Sequence, residues 1–278
     1  MLSAYVLTRN SERLLEKVLR PLLAVADEVL VLDSGSTDRT LDIARGLGCR
    51  IEQSTFEGYG AQRQKAQWLC SHDHVLFVDS DEIMSEALVE AVRSLKASGF
   101  PEDAYAFRRE WIVLGRPVRA FYPVKSPDFP IRLLNRTRSS FASARVIHER
   151  PSGQRSVAVL DGPLFHDTFH SPEEFSRKLD SYSRFGGQDL LERGRSAKPA
   201  PVAAVGALIA FVRWYVATGS WRDGKVGLMA GVFACRYTYR KHVHARRLAR
   251  GTDQSGPVEP TPEPVVPRRP AGLDSRTG

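Results

Sequence analysis

Apolar and polar residues alternate in blocks over the N-terminal part of the chain, up to about residue 103. Short apolar runs such as VLVLD and VLFVD are typical of buried strands. Between them lie stretches in which apolar residues recur every three or four positions, as in an amphipathic helix. This β-α-β-α order predicts an α/β fold whose mostly parallel sheet is covered by helices on both faces. The predicted strands are 3–8, 27–33, 49–55 and 74–79, and the predicted helices are 11–26, 36–48, 60–73 and 85–99.

The pattern changes after residue 103. Arginine-rich segments with a strand-like pattern continue to about residue 170, and a helical pattern then begins with Ser171 as the expected N-cap. Two apolar runs follow, at 200–212 and 226–235. From Gly251 onward the chain holds six of its 17 prolines and few apolar side chains, which predicts a disordered tail. We therefore predict four regions: 1–103, 104–170, 171–250 and 251–278.

Positive charge is concentrated near the C-terminal end of a chain whose formal net charge is +8. Residues 236–250 contain six Lys and Arg and no acidic residue. Such a block is typical of proteins that bind nucleic acid, an acidic partner or an anionic membrane, although an ordinary solvated helix face has the same composition. No nucleic-acid-reading motif accompanies it, so we expect no nucleic-acid partner. The three cysteines form no metal or redox spacing, which favours a reducing compartment.

Carboxylates follow two of the predicted strands. VLFVDSDE places Asp79 and Asp81 two residues apart, and VLVLDSGSTDRT places Asp33 before a small polar turn. If the strand continued through both Asp79 and Asp81, their side chains would point to one side and suit a hard cation such as Mg²⁺ or Mn²⁺. Alternatively, the acids after Asp79 only begin the next helix, and Asp33 only belongs to a well-capped strand-turn-helix.

Several common site motifs are absent. The first strand-to-helix turn is Thr-Arg-Asn rather than a glycine fingerprint, and neither a P-loop nor a G-x-S-x-G elbow occurs. One rival remains: DSDEI resembles the aspartate-nucleophile motif of haloacid-dehalogenase-type phosphatases, with Asp79 as the nucleophile. A non-catalytic basic protein that binds membrane or nucleic acid is the alternative from a different class.

Taken together, the motifs resemble inverting family 2 glycosyltransferases of the GT-A type, and among these the bacterial enzymes that decorate the lipopolysaccharide core. The resemblance covers roughly residues 1–250. It implies a GT-A-like nucleotide-binding sheet, an α+β acceptor half and C-terminal helices. The motifs that carry it are YVLTRN (5–10), VLDSGSTDRT (31–40), FEGYGAQRQKA (56–66), VLFVDSDE (75–82), RVIHER (145–150), FHDTFHSPEEFSRKLDSYS (165–183) and TGSWRDGKVGLMAGVFACRYTYRK (218–241).

The resemblance also implies the donor and its cofactor. The donor would be a nucleotide-diphospho-sugar, and Asp79 and Asp81 would bind a divalent cation, Mg²⁺ or Mn²⁺, with Asp81 as the principal ligand. The residues implied in binding the nucleotide-sugar are Thr8, Asn10, Asp33, Gln62, Arg63 and Asp79.

Inversion requires a base that deprotonates the acceptor hydroxyl, and Glu149 is our candidate. The alternative is a loop glutamate paired with Arg145 or Arg150. Arg132, His148 and His166 are candidates for the acceptor side.

The resemblance further implies a lipid-linked saccharide acceptor at the cytoplasmic face of the inner membrane. The apolar run 200–212 ends at Arg213 and is shorter than the roughly 20 residues of a membrane span. We therefore expect no transmembrane helix but a peripheral protein whose apolar helix lies in the membrane interface, a buried helical hairpin being the alternative.

Overall fold

The computed structural model describes residues 1–141 and 151–251. The strands within these residues are β1 (Leu2–Thr8), β2 (Glu28–Asp33), β3 (Arg50–Gln53), β4 (His74–Asp79), β5 (Glu82–Met84), β6 (Ala104–Val113), β7 (Arg116–Pro117), β8 (Ala120–Phe121), β9 (Val124–Lys125), β10 (Ile131–Asn135) and β11 (Val157–Thr168). They form a nine-stranded sheet in the order β3-β2-β1-β4-β10-β6-β11-β5, with β7 paired to β6, and β8 and β9 form a separate hairpin.

Seven α-helices connect and cover these strands in the described part of the chain. They are α1 (Leu15–Leu23), α2 (Thr40–Gly46), α3 (Tyr59–Leu69), α4 (Glu86–Ala97), α5 (Pro172–Glu192), α6 (Ala200–Phe211) and α7 (Gly224–Ala249). Both Ser85 and Ser171 act as N-caps, since each side chain accepts a hydrogen bond from a backbone N–H three residues on. The helix predicted over 11–26 is shorter: α1 begins at Leu15, and the Ser11 side chain makes no cap hydrogen bond to it.

The predicted α/β fold class is confirmed. Strands β3, β2, β1 and β4 are parallel, and their apolar residues point alternately to the two faces. Ala4 and Val6 pack on one side with residues of α1 and α4, whereas Tyr5 and Phe77 pack on the other side with Ala66 of α3. Helices therefore cover both faces of the parallel sheet, as the continuous apolar strand pattern predicts.

The register of the parallel strands determines where their polar ends lie. Thr8 is the partner of Asp33, and Leu7 is the partner of Asp79, so β1, β2 and β4 end at the same edge of the sheet. Ligands of open α/β sheets bind beyond the carboxyl ends of the strands. This edge is therefore where a site is expected, and the strands bring Thr8, Asp33 and Asp79 to it.

A second core joins the later strands to the C-terminal helices. Trp111 from β6, Phe121 from β8, Phe169 after β11, Phe175 from α5 and Phe233 from α7 are buried in one aromatic cluster. The Phe121 ring lies 4.6 Å from that of Phe169 and 5.0 Å from that of Phe233, measured between ring centroids. The residues predicted as regions 104–170 and 171–250 thus pack against each other through this shared core.

Glycines allow the C-terminal helices to approach closely. A Cβ at Gly187 of α5 would lie 2.8 Å from the carbonyl oxygen of Lys241 in α7, and one at Gly227 of α7 would lie 1.8 Å from that of Ser220. Ser220 belongs to the 3-10 turn Ser220–Asp223, which precedes α7. A side chain at Gly187 would force α5 and α7 apart, and one at Gly227 would displace α7 from the turn before it.

The apolar segment before α7 is longer than the sequence pattern predicted. Helix α6 continues through the π-helical stretch Val212–Ala217, so Arg213 does not end the helix. By length and composition the 18 residues 200–217 could cross a membrane, and only 11% of them are buried. The run was predicted to be too short for a span because Arg213 was expected to end it, and that prediction was wrong about the length of the helix.

His148, Glu149 and the predicted tail after Gly251 lie outside the described residues.

Candidate active site

Asp33 organises the loop after β2. Its carboxylate is fully buried and accepts hydrogen bonds from the backbone N–H groups of Gly35 and Ser36 and from the hydroxyls of Thr8 and Ser36. Four donors satisfy both oxygens, so in this arrangement Asp33 shapes the loop and presents no open oxygen to a nucleotide.

Asn10 reaches the same loop from the end of β1. Its backbone adopts a left-handed conformation (φ 50°), which asparagine tolerates better than most residues. Its side-chain oxygen accepts a hydrogen bond from the Thr37 N–H at 2.8 Å, and its own N–H donates to the Ser36 hydroxyl at 2.8 Å. The ends of β1 and β2 thus form one hydrogen-bonded rim with polar groups at its surface.

Asp79 ends β4 between two arginines. Arg63 of α3 donates to one carboxylate oxygen at 2.6 Å, and Arg132 of β10 donates to the other at 2.7 Å. Both guanidinium carbons lie 5.5 Å from the centroid of the Phe77 ring, so this ring supports both arginines. Burial alone raises a carboxyl pKa, but the charges of Arg132 and Arg63 outweigh it and hold the pKa of Asp79 well below its ordinary value. An aspartate nucleophile needs an open oxygen, so this arrangement disfavours the phosphatase alternative.

Behind Asp79 lies a buried ionic network that the sequence patterns did not reveal. Glu82 is fully buried and accepts hydrogen bonds from Arg132 at 2.6 Å, from Arg109 at 2.7 Å and from the Asp79 N–H at 3.0 Å. Arg109 in turn forms a two-pronged pair with Asp128, at 2.9 and 2.6 Å. Burial lowers the pKa of Arg109, but the charges of Asp128 and Glu82 outweigh it and raise that pKa. The network fixes the turn at Ser80 and Asp81, because Glu82, which follows the turn, accepts a hydrogen bond from the N–H of Asp79, which precedes it.

Asp81 lies in this turn and is held differently. The strand ends at Asp79, and the turn at Ser80 and Asp81 separates β4 from β5, so the strand does not continue through both aspartates as the sequence suggested. The nearest described side-chain partner of Asp81 is His166 of β11, whose Nε2 lies 3.3 Å from Oδ2. Burial raises the pKa of Asp81, but the charge and hydrogen bond of His166, together with the Lys178 charge, lower it overall.

His166 is positioned by the sheet. It is the partner of Glu82 in the antiparallel pair of β11 with β5, and its ring meets the Trp111 ring edge-on at 4.3 Å. Its Nδ1 is buried without a hydrogen-bond partner among the described residues. His166 was predicted on the acceptor side, and the structure places it directly beside Asp81.

Gln62 and Arg63 come from the first turns of α3. The Gln62 amide group donates to the Thr55 carbonyl at 2.6 Å and to the Ser34 hydroxyl at 3.3 Å, which ties α3 to the loop after β2. Gln62 is buried, and its side-chain oxygen has no partner among the described residues. Two residues of the motif GYGAQR thus connect the Asp33 loop with Asp79.

The side chains near Asp81 determine whether a divalent cation fits here. No group of three or more His, Cys, Asp or Glu side chains with metal-binding geometry occurs within residues 1–141 and 151–251. Asp79 is committed to Arg63 and Arg132, which leaves the Asp81 carboxylate and His166 as adjacent donors. Mg²⁺ commonly takes one or two protein ligands and completes its shell with phosphate and water. The residues present therefore fit a cation shared with a phosphate ligand, not one enclosed by protein alone.

Two other carboxylates, Asp128 and Asp161, are badly placed to act as the base that deprotonates the acceptor. Asp128 is buried and bound by Arg109 and by the Trp111 indole N–H at 3.0 Å, so it has no open oxygen. Asp161 lies five residues before His166 on β11, about 16 Å away along an extended strand. Neither is suited to deprotonate an acceptor held beside Asp81.

Comparison with known proteins identifies the N-terminal part. Residues 3–106 match the model of the family described as glycosyl transferase family 2. A relative named "uncharacterized glycosyltransferase" from Rickettsia bellii is 28% identical over 250 residues, which cover 84% of this chain and 83% of the relative. The 4,4'-diaponeurosporenoate glycosyltransferase of Staphylococcus haemolyticus is 30% identical over 101 residues, covering 33% of this chain and 27% of that protein.

Two solved structures are also similar to this chain. Glucosyl-3-phosphoglycerate synthase from Mycobacterium tuberculosis, crystallised with Mn²⁺, UDP and glucosyl-3-phosphoglycerate, is 25% identical with a TM-score of 0.35, over 39% of this chain and 44% of that chain. This chain thus spans less than half of that enzyme's length. TarS (residues 1–349) from S. aureus is 17% identical with a TM-score of 0.42, over 90% of this chain and 91% of that one.

The sequence-based resemblance to family 2 glycosyltransferases is thereby confirmed, whereas the alternative of a non-catalytic binding protein is not supported. Residues 3–106 are a glycosyl transferase family 2 domain, and the chain is a glycosyltransferase.

Proposed function

We propose that this glycosyltransferase moves a sugar, with inversion, from a nucleotide-diphospho-sugar to a lipid-linked saccharide in lipopolysaccharide core or other cell-envelope glycan synthesis. The observation that carries the donor part of the proposal is the pair of Asp81 and His166, 3.3 Å apart at the edge where the parallel strands end. A divalent cation, Mg²⁺ or Mn²⁺, would neutralise diphosphate charge there and stabilise the departing nucleoside diphosphate.

The residues around this pair would hold the donor. Thr8, Asn10 and Asp33 shape the rim at the ends of β1 and β2, where the nucleoside would bind. Arg63 and Arg132 hold Asp79 in place, so that the turn carrying Asp81 has a fixed geometry when the donor arrives. Such preorganisation matters because a site already in its reactive arrangement loses little free energy to reordering.

The acceptor hydroxyl requires a base, and Glu149 remains our proposal for it. Glu149 lies outside the described residues, but the chain on both sides of it is anchored near the site. The Phe141 N–H donates to Gln64 of α3 at 2.7 Å, and the Phe141 ring meets the Phe77 ring edge-on at 5.4 Å. Ser140 and Ser152 exchange backbone hydrogen bonds of 3.0 Å. The described chain therefore leads towards residue 149 from beside the site, and Arg132 and His148 remain our acceptor-side candidates.

The exposed surface of the segment 200–217 supports a membrane-bound acceptor. Apolar side chains spaced three and four residues apart form one stripe along it, and Val205 and Ile209 are 60% and 62% exposed. Four cationic side chains, Lys198, Arg213, Arg222 and Lys225, are exposed near its ends, as is Trp221. Cations and tryptophan beside an apolar stripe suit a helix lying in the membrane interface. We therefore propose a cytoplasmic, peripheral protein on the inner face of the membrane. The members of the stripe are Val202, Val205, Ile209, Val212 and Val216.

A thermal-shift panel of nucleoside diphosphates and sugar nucleotides, each with and without Mn²⁺, tests the donor part. A ligand at a hundredfold excess over its dissociation constant stabilises the fold by about 3 kcal/mol. We expect one nucleotide series to raise the melting temperature clearly, and only with the cation present. If no sugar nucleotide changes the melting temperature with or without Mn²⁺, the proposed function is wrong.

A further inference from the structure

Helix α5 brings a lysine to the edge of the candidate active site. Lys178 belongs to α5, and its side chain, which is only 16% exposed, reaches towards the end of β11. Its ammonium group pairs with Glu174 at 2.9 Å and donates to the Thr168 hydroxyl at 3.3 Å. It also lies 4.7 Å from the centroid of the Phe169 ring. Phe169 and Thr168 follow His166 by only a few residues, so this cation is held close to the Asp81–His166 pair.

Backbone contacts connect the surroundings of Lys178 to Asp81. The Asp167 N–H donates to the Asp81 carbonyl at 2.9 Å, so the end of β11, whose Thr168 accepts from Lys178, lies directly beside the turn of Asp81. Arg13, from the loop before α1, approaches from another side, since it donates to the Asp167 carbonyl at 3.5 Å. Two cations from distant parts of the chain therefore flank the turn that would hold the donor diphosphate.

The hydrogen-bonding capacity of Lys178 points in the same direction. An ammonium group has three N–H donors, and the protein acceptors described for Lys178, Glu174 and Thr168, use two of them. Three carboxylates, Asp81, Asp167 and Glu174, lie around Arg13, and Glu174 also pairs with Lys178, so this corner is not anion-binding by itself. A divalent cation at Asp81 would make its net charge positive, and a diphosphate would then be attracted.

We infer that Lys178 donates a hydrogen bond to the diphosphate of the nucleotide-sugar bound beside Asp81, so that helix α5 completes the donor site. The inference rests on the proposed function. It makes the C-terminal helical region part of the catalytic unit rather than only a means of attachment to a membrane. The competing possibility is that Lys178 has only a structural role and ties α5 to the end of β11. A phosphate-binding lysine increases the affinity only for ligands that carry phosphate, whereas a structural lysine affects ligands with and without phosphate alike.

The test compares two ligands in the presence of Mn²⁺: the nucleoside diphosphate that gives the largest thermal shift, and the same nucleoside without phosphate. Their dissociation constants are measured by titration calorimetry for the wild type, Lys178→Met and Lys178→Arg. Lys96→Met is the matched control. Lys96 is also a partly buried helix lysine with a carboxylate partner, Asp27 at 2.7 Å, but that pair lies at the opposite edge of the sheet, before β2.

We expect Lys178→Met to weaken binding of the nucleoside diphosphate about tenfold or more, the scale of one charge-assisted hydrogen bond, and to leave nucleoside binding unchanged. Lys178→Arg should retain most of the affinity, and Lys96→Met all of it. If Lys178→Met binds both ligands like the wild type, or weakens both equally, Lys178 is only structural and the inference fails. If the wild type itself binds no nucleoside diphosphate with Mn²⁺, the proposed function fails and the inference falls with it.

Discussion

At the scale of single residues, the partners of three carboxylates determine what each of them does. Asp33, Asp79 and Asp81 stand out because each follows a buried strand. What each one does depends on residues far away in the chain: Thr8 for Asp33, Arg132 for Asp79 and His166 for Asp81. Such pairs come from tertiary packing, which local pattern does not encode. Glu82 was missed for this reason, since next to Asp79 and Asp81 it looked like one more acid at a helix start.

A first prediction concerns Glu28 and acid stability. Burial raises the pKa of this carboxyl, but hydrogen bonds from Ser3, Ser71 and Arg50 outweigh it and lower the pKa from 4.5 to about 2. Because the folded carboxyl binds its proton more weakly than the unfolded one, its stabilising contribution is complete above pH 4.5 and is lost as the pH falls towards 2. Urea unfolding measured between pH 6 and pH 3 should therefore show a smaller loss of stability for Glu28→Gln than for the wild type, and the variant should be less stable at pH 6.

The control is Glu90→Gln, which removes a glutamate from an exposed pair with Arg93. Its pH profile should follow that of the wild type. Identical profiles for Glu28→Gln and the wild type would show that this hydrogen-bonded cluster does not contribute to stability.

A second prediction concerns the proposed base. Glu149→Gln should leave binding of the sugar nucleotide intact and slow sugar transfer by about 100-fold or more, because a glutamine cannot take up the proton of the acceptor hydroxyl. Transfer rates and donor affinity are measured separately to distinguish the two effects. Asp161→Asn, in the first half of β11 and away from His166, is the control and should transfer normally. Normal transfer by Glu149→Gln, or loss of donor binding, would exclude Glu149 as the base.

At the scale of elements, long periodic segments were predicted well and short or irregular ones were not. The strands of the parallel sheet and the starts of α4 and α5 agree with the sequence patterns, because apolar runs and serine caps act locally. The strands β5, β7, β8 and β9 were not predicted, since two or three residues carry no periodic signal. The helix that continues past Arg213 was also missed, because one exposed charge at the surface does not end a helix.

The third prediction tests the close approach of α7 to the turn before it. Gly227→Ala places a methyl group where the Ser220 carbonyl oxygen lies only 1.8 Å away, so the turn or the helix must move. We expect a loss of about 1–3 kcal/mol in the free energy of unfolding, as in other overpacked sites. The matched control is Gly206→Ala in α6, where an added Cβ meets nothing within 4 Å. There the better helix propensity of alanine should stabilise the protein by up to about 1 kcal/mol. Equal effects of the two substitutions in urea unfolding would contradict this packing.

At the scale of the whole molecule, the chain combines a family 2 transferase domain at residues 3–106 with later strands of the same sheet and with C-terminal helices that present an apolar face. The aromatic cluster of Trp111, Phe169 and Phe233 ties those later strands to the C-terminal helices. The fold class could be predicted because the strand and helix patterns of residues 1–103 are unambiguous. The site could be predicted only in part, since the Asp81–His166 pair forms through β11, which follows β5 by more than seventy residues.

The fourth prediction concerns membrane attachment. We expect the protein to float with vesicles containing anionic lipid and to be released by high salt or alkaline carbonate, because basic residues near the surface contribute up to about 1 kcal/mol each. Val205→Lys with Ile209→Lys should abolish flotation by placing charge in the apolar stripe. Val157→Lys with Val159→Lys is the control, since these valines are similarly exposed but belong to β11.

Two outcomes would contradict the peripheral attachment. Resistance to carbonate extraction would mean that residues 200–217 cross the membrane, and full solubility in the presence of anionic vesicles would mean that the stripe has another partner. Reversing Arg240, Lys241, Arg246 and Arg247 of α7 to glutamate should weaken flotation. Removal of residues 251–278 should leave it unchanged.

The most direct test of the donor site is a calorimetric titration of the preferred nucleoside diphosphate with Mn²⁺ into the wild type, Asp81→Asn and Asp42→Asn. Asp42 forms an exposed pair with Arg45 on α2 and serves as the control. Because Asn keeps the size of Asp81 but removes the charge that would hold the cation, we predict that Asp81→Asn loses the Mn²⁺-dependent part of the affinity. Sugar transfer should then fall by about 100-fold or more. Asp42→Asn should bind like the wild type. Unchanged Mn²⁺-dependent binding by folded Asp81→Asn would contradict the account.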